Sequence, residues 1–186
     1  MTYQFTSNWM AKHKKYWDTI IQEYKPKNII EIGSNEGRST VYWASQPTTK
    51  HVWCIDNWKN EYESKEAMFD ANISKCTNIT KIKENSIIGL ALLQKDLQCS
   101  IDLIYIDGDH DSRTVLSDAV LSFNLCRPGG IIIFDDYLLL RSLQRDNPGV
   151  KITESHPKIG IDAFTNIFQH DIDILSCNYQ LILKKL

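Results

Sequence analysis

The sequence predicts an open, doubly wound α/β sheet, mostly parallel, with helices on both faces. Three observations carry that prediction. Short β-branched runs alternate with helical patterns, placing strands at 27–32, 50–55, 79–82, 101–106 and 131–134. Most of these runs are nearly continuous in apolar residues, so the strands are buried on both faces and pair in parallel. A polar cluster follows each of them, at the carboxyl end of the strand, where such sheets bind ligands.

The elements follow in order. Between Asn8 and Tyr24, Trp9, Tyr16, Trp17, Ile20, Ile21 and Tyr24 recur at helical intervals until Pro26, giving an N-terminal helix within 1–26. After the first strand a helix runs from Gly37 to Ser45 and stops before Pro47. A helix over 61–76 turns Ala67, Met68, Ala71 and Ile73 inward, and another spans 87–97. The helix at 112–126 follows Asp111, which reads as its cap, and Pro128-Gly129-Gly130 reads as a turn. Residues 138–160 lack periodicity and are expected to form a substrate-covering loop. A helix over 161–170 and a hairpin of strands 172–175 and 179–183 close the sheet edge.

The 186 residues suit a single domain with a sizeable core, and no stretch is apolar enough to span a membrane. The N-terminal fifteen residues lack the apolar centre of a signal peptide, so the expected location is cytoplasmic. A net charge of −2 without a dense basic run argues against a nucleic-acid partner. Five cysteines without a C-x-x-C pair argue against zinc and a disulfide framework, and read as small hydrophobes in a reducing compartment.

The chain is organised around Glu31-Ile32-Gly33-Ser34-Asn35-Glu36-Gly37-Arg38-Ser39, a strand, a tight loop and a helix start. Gly33 suits the positive φ where the strand turns, Gly37 lets the helix pack on the strand, and the intervening amides face a ligand. The spacing E-x-G-x-x-x-G differs from the three-glycine dinucleotide fingerprint. It suits a cationic, phosphate-free ligand, with S-adenosylmethionine the candidate. Asp56, ending the second strand before Asn57-Trp58, stands where such folds accept ribose hydroxyls. Asn85-Ser86 lies beside the expected adenine pocket or simply caps a helix. Asp107, Asp135 and Asp136 crowd two neighbouring strand ends without matching cations. A divalent ion would relieve that repulsion, and an all-oxygen set suits Mg²⁺. His110 at the cleft mouth is the candidate general base, with His156 second.

These motifs resemble class I S-adenosylmethionine-dependent methyltransferases. The closer resemblance is to small O-methyltransferases that share I-D-G-D-H, here Ile106 to His110, and P-G-G-x-x-x-x-D-D-Y, here Pro128 to Tyr137. It implies a Rossmann-like seven-stranded sheet whose last strand is antiparallel. It further implies Glu31, Gly33 and Ser39 at the methionine side of the cofactor, Asp56 at the ribose, and Asn85 with Ser86 at the adenine. Metal-dependent relatives hold Mg²⁺ where Asp107, Asp135 and Asp136 stand, and some carry a base where His110 stands.

The cofactor-binding set is thus Glu31, Gly33, Ser34, Asn35, Gly37, Ser39, Asp56, Asn57, Trp58, Asn85, Ser86 and Asp107. The expected reaction is transfer of a methyl group to a hydroxyl of a sugar or other small polar molecule. The acceptor is a small molecule or glycan, a membrane partner is not expected, and self-association into a homo-oligomer stays open. Metal-independent O- or N-methyl transfer, an NAD-dependent dehydrogenase and a silent nucleoside-binding module are the alternatives.

Overall fold

The computed structural model describes residues 3–59, 63–147, 149 and 156–186, with the side chains of 63 and 140–142 left out. A 3₁₀ turn, Trp9–Lys12, leads into α1 (Lys14–Tyr24), and β1 (Asn28–Ile32) into α2 (Arg38–Ala44). Then come β2 (His51–Asp56), α3 (Glu63–Ile73), β3 (Ile79–Lys83), α4 (Ser86–Leu97) and β4 (Ile101–Ile106). The chain ends with α5 (Ser112–Leu125), β5 (Cys126–Phe134), α6 (Leu139–Asp146), α7 (Pro157–Ile167), β6 (Ile172–Cys177) and β7 (Leu181–Lys185).

The strands form one seven-stranded sheet in the order β3-β2-β1-β4-β5-β7-β6. β1 to β5 are mutually parallel, and β7 inserts antiparallel between β5 and β6. This is the Rossmann-like arrangement the motifs implied. Side-chain alternation divides the core by face. Ile30, Ile32, Ile104, Ile106, Ile132 and Phe134 pack with α4, α5 and α7, whereas Ile29, Val52, Leu103, Tyr105, Ile131 and Ile133 pack with α1, α2 and α3. The strand order reverses between β1 and β4, and that switch point opens the ligand crevice.

Several boundaries differ from expectation for identifiable reasons. The N-terminal helix divides at His13, where a 3₁₀ turn precedes α1. On α3, Ala67 and Ala71 are exposed; Phe69 and Asn72 are buried instead. Asn72 is inside because its amide is satisfied, bonding the Gln4 backbone in both directions and the Glu36 carbonyl. Pro128-Gly129-Gly130 is not a turn but the early part of β5, beside a register shift opposite Ile101 and Leu103. At that irregularity Asp102 accepts from the Lys27 and Asn28 amides and pairs with Arg127 at 2.7 Å, which anchors the strand ends. Within 138–160, α6 forms, and α7 starts at Pro157, a residue pre-set for a first helical turn. Residues 148 and 150–155 of that expected loop lie outside the described residues. Cys54 and Cys126 are buried, Cys76 is half-buried, and Cys99 and Cys177 are exposed. The five thiols are free.

Trp17 is the centre of the aromatic core on the α1 side. It is fully buried, with Trp43 at 4.4 Å, Tyr105 at 5.1 Å and Tyr42 at 5.4 Å between ring centroids. Its Nε1 donates to Gln180 Oε1 at 2.9 Å, tying α1 to the start of β7. Trp17→Phe removes ring volume and leaves a buried amide oxygen unpaired, so it should cost about 2 kcal/mol. A denaturant midpoint within experimental error of the parent would contradict this.

Candidate functional site

A cleft of about 460 Å³ lies at the carboxyl ends of the five parallel strands. Its lining takes Gly33, Ser34, Asn35 and Ser39 from the loop after β1, Asp56 and Asn57 from the end of β2, and Asn85-Ser86 from the start of α4. Asp107, His110, Asp135 and Asp136 come from the ends of β4 and β5.

The loop after β1 is shaped by close approach. Gly33 has φ +85°, and a Cβ placed there would lie 2.0 Å from the Asp107 carbonyl oxygen. Gly37 (φ +81°) makes room for the Phe69 ring of α3 rather than for the strand. Asn35 also takes a left-handed φ of 46°. Asp56 holds this turn in place, Oδ2 accepting from the Asn35 amide at 2.8 Å and Oδ1 from the Trp58 amide at 2.9 Å. Each carboxylate oxygen keeps further lone pairs for a ligand.

Three residues of the expected cofactor set do not line the cleft. Trp58 is buried behind the loop, tilted against Phe69 at 4.8 Å between ring centroids, with Nε1 donating to the Asn35 carbonyl at 2.7 Å. It supports the loop from behind. Gly37 is likewise buried against α3. Glu31 is fully buried beneath the loop, accepting from the Thr40 hydroxyl, and burial raises its pKa against the pull of nearby Ser39, Thr40 and Ser34 hydroxyls. Asn85 caps α4 through the Ile88 amide at 3.0 Å, as the plainer reading anticipated, and still lines the cleft. Asp111 caps α5 in the same way.

The acidic end differs from the expected metal set. Ligand atoms of Asp107, His110 and Asp136 lie within 4.8 Å of one another. Asp135 is not in that group: its Oδ2 accepts from Tyr105 at 2.5 Å and its Oδ1 from the Asp136 amide at 2.8 Å. The converging set is therefore two carboxylates and an imidazole, which suits a divalent ion but is no longer all oxygen. His110 Nε2 pairs with Asp136 Oδ2 at 2.9 Å, and that bond raises the histidine's pKa despite partial burial. Asp136 is held low: burial works against its charge, but His110 and Tyr179, whose hydroxyl donates at 2.5 Å, outweigh it. Burial and mutual repulsion push Asp107 well up and Asp135 up. His156 is buried at the start of α7 and does not line the cleft, nor does any described residue of 138–160.

Sequence reasoning passed over Trp9, Lys12, His13, Arg38, Thr114 and Tyr179, all of which line the cleft. Tyr179 was assigned to a strand but sits in the turn before β7, where its hydroxyl reaches Asp136. The 3₁₀ turn brings Trp9, Lys12 and His13 over the acidic end, a placement that helical periodicity alone does not signal.

Residues 30–137 match the family described as a methyltransferase domain. The chain belongs to that family. The matched span runs from β1 to the residue after Asp136, so it contains the loop, Asp56 and the acidic cluster. Among curated proteins, an uncharacterized protein of Acanthamoeba polyphaga mimivirus is 28% identical over 113 residues. That alignment takes in 58% of this methyltransferase-domain chain and 50% of the viral protein, so the chain spans about half the length of this relative. Among solved structures, an O-methyltransferase of Bacillus cereus in complex with SAH superposes with a TM-score of 0.72 at 16% identity, covering 100% of this chain and 84% of that one. The Streptomyces achromogenes O-methyltransferase involved in tomaymycin synthesis, in complex with SAM, gives 0.70 at 15% identity, covering 94% and 80%. These likenesses establish the methyltransferase fold.

Proposed function

We propose that the protein is an S-adenosylmethionine-dependent O-methyltransferase acting on a hydroxyl of a sugar or other small polar molecule, assisted by a divalent cation, Mg²⁺ first. The observation that carries this reading is the two-ended cleft: small polar side chains and a tight βα loop at one end, carboxylates and an imidazole at the other. Unpartnered buried atoms at the loop, Asn35 Oδ1 and Arg38 Nε, fit a polar ligand seated against it. The solved relatives named above carry SAM or SAH.

When bound, the sulfonium cofactor supplies an electrophilic methyl group and the cation acidifies an acceptor hydroxyl. Ser34, Asn35 and Ser39 hold the methionine side, with the Arg38 guanidinium available to its carboxylate. Asp56 accepts from the ribose, and Asn85 with Ser86 borders the adenine. Asp107 and Asp136 would hold the cation, joined or vacated by His110. His110 takes the acceptor proton at the cleft mouth, and its carboxylate partner strengthens its hold on that proton. Holding acceptor and methyl donor in one cleft supplies much of the acceleration.

The test is calorimetric titration of S-adenosylmethionine with and without Mg²⁺, with NAD as the control ligand. Micromolar-range binding, on the order of −8 kcal/mol, is expected. Heat with NAD but none with S-adenosylmethionine would overturn the cofactor reading. In a transfer assay over deoxy-sugars, catechols and nucleotide sugars, His110→Ala should slow turnover roughly a hundredfold. Rates untouched by both that substitution and a chelator would remove the metal-and-base chemistry.

A further inference from the structure

A second cavity of about 200 Å³ opens beside the acidic end of the cleft and shares Lys12, His13 and Tyr179 with it. Its other walls are Tyr16 of α1 and the turn between β6 and β7, with Ser176, Asn178 and Gln180. Two polar side chains in this lining are 96% buried and carry an unpartnered atom, His13 Nε2 and Gln180 Nε2. The orientation of the Gln180 amide follows from its bond to Trp17: Oε1 is taken by the indole N–H, which leaves the N–H₂ group without a partner in a side chain that borders the cavity. Buried polar atoms without partners are rare, and each calls for a partner, an ordered water, an ion or a ligand group.

The chemistry of the lining is one-sided. Lys12, held 4.0 Å from the Tyr179 ring centroid, is the charged residue of the wall, and no Asp or Glu contributes to it. The neighbouring cleft has the opposite character, with Asp107, Asp109, Asp135 and Asp136 at its acidic end. Room for about six water-sized groups suffices for a small anionic substituent.

We propose that this second cavity binds an anionic oxygen group, carboxylate or phosphate, of the methyl acceptor. Lys12 and the Gln180 amide are its donors, and His13 is the wall between the two spaces. The three shared residues let one molecule occupy both, its anion behind Tyr179 and its hydroxyl beside Asp107 and Asp136. The proposal rests on the reading of the main cleft as a methyl-transfer site. It narrows the acceptor from any small hydroxyl compound to one bearing a negative charge.

The test uses full-length protein saturated with S-adenosylhomocysteine and Mg²⁺, and two probe pairs: 3,4-dihydroxybenzoate against catechol, and glycerol 3-phosphate against glycerol. The charged member of one pair should bind about tenfold tighter than its neutral partner and shift the Gln180 side-chain amide signals in NMR spectra. The pair that responds tells carboxylate from phosphate. Gln180→Glu keeps the oxygen that Trp17 needs and replaces the donor with an acid; Lys12→Met removes the exposed cation. Each should bring the preference below about threefold. Equal or absent binding of charged and neutral probes, a preference that survives both substitutions, or unmoved Gln180 signals would overturn the proposal. Failure to bind S-adenosylhomocysteine at all would instead fall on the main-cleft reading.

Discussion

Gly33→Ala should unfold the cleft from its floor. The added methyl would lie 2.0 Å from the Asp107 carbonyl oxygen, 2.4 Å from its carbon and 2.7 Å from Gly108 Cα, all backbone atoms. No side chain can swing aside to make room. The backbone there is also pinned, the Gly33 amide donating to Ile55 at 2.9 Å and the Asp107 amide to Ile32 at 2.8 Å. A left-handed φ of +85° adds roughly 1–2 kcal/mol for any residue with a Cβ. Together with overpacking, typically 1–3 kcal/mol and here against rigid atoms, the cost should reach at least about 4 kcal/mol. For a chain of this size that is a fall of roughly 8–16 °C in melting temperature. Gly108→Ala is the matched comparison: its methyl would meet only the Ile32 side chain, at 3.1 Å, and should cost about 1 kcal/mol. Similar melting temperatures for the two variants would refute the close-approach argument.

That contrast also marks what the sequence could reveal. The sheet was legible because each strand is a short apolar run with a polar cluster behind it, and because E-x-G-x-x-x-G must turn sharply at Gly33. Asp56, Asp107 and the Asp135-Asp136 pair were legible for the same reason, being the first polar residues past a predicted strand. Which members of the acidic cluster converge was only partly so. Asp135 and Asp136 are adjacent and chemically identical, and only the fold shows that Asp135 is turned toward Tyr105 while Asp136, with φ +56°, faces His110. The end of the cleft lined by Lys12, His13 and Tyr179 was not legible at all. Lys12 and His13 precede α1 by sequence and reach Tyr179 through a separation of more than 160 residues, which no local pattern encodes. Trp58 entered the expected cofactor set by its place beside Asp56, yet a left-handed φ of 44° turns it inward against Phe69.

Asp118→Asn should stabilise the protein above neutral pH and leave it nearly unchanged only in acid below the ordinary carboxylate pKa. Asp118 lies on α5 with no exposed surface, and neither carboxylate oxygen has a well-formed hydrogen bond. Burial pushes its pKa up to about 7; the nearby Ser86 hydroxyl opposes the shift and Asp109 adds to it. Between the ordinary carboxylate range and that value the folded state holds a proton that the unfolded chain has released. Stability must therefore fall as pH rises through this window, the contribution being complete only below the unfolded pKa. The full span of about three pKa units corresponds to about 4 kcal/mol, and relaxation around the charge will leave less, of order 2–3 kcal/mol. Asparagine reproduces the neutral shape and cannot ionise. At pH 8 the variant should melt roughly 5–10 °C above the parent, and at about pH 3, below the unfolded pKa, the two should nearly coincide. Other raised acids, Glu31, Asp107 and Asp135, add slopes of the same sign to both proteins and cancel in the difference. A difference in melting temperature that does not change with pH would show that Asp118 is not the titrating group.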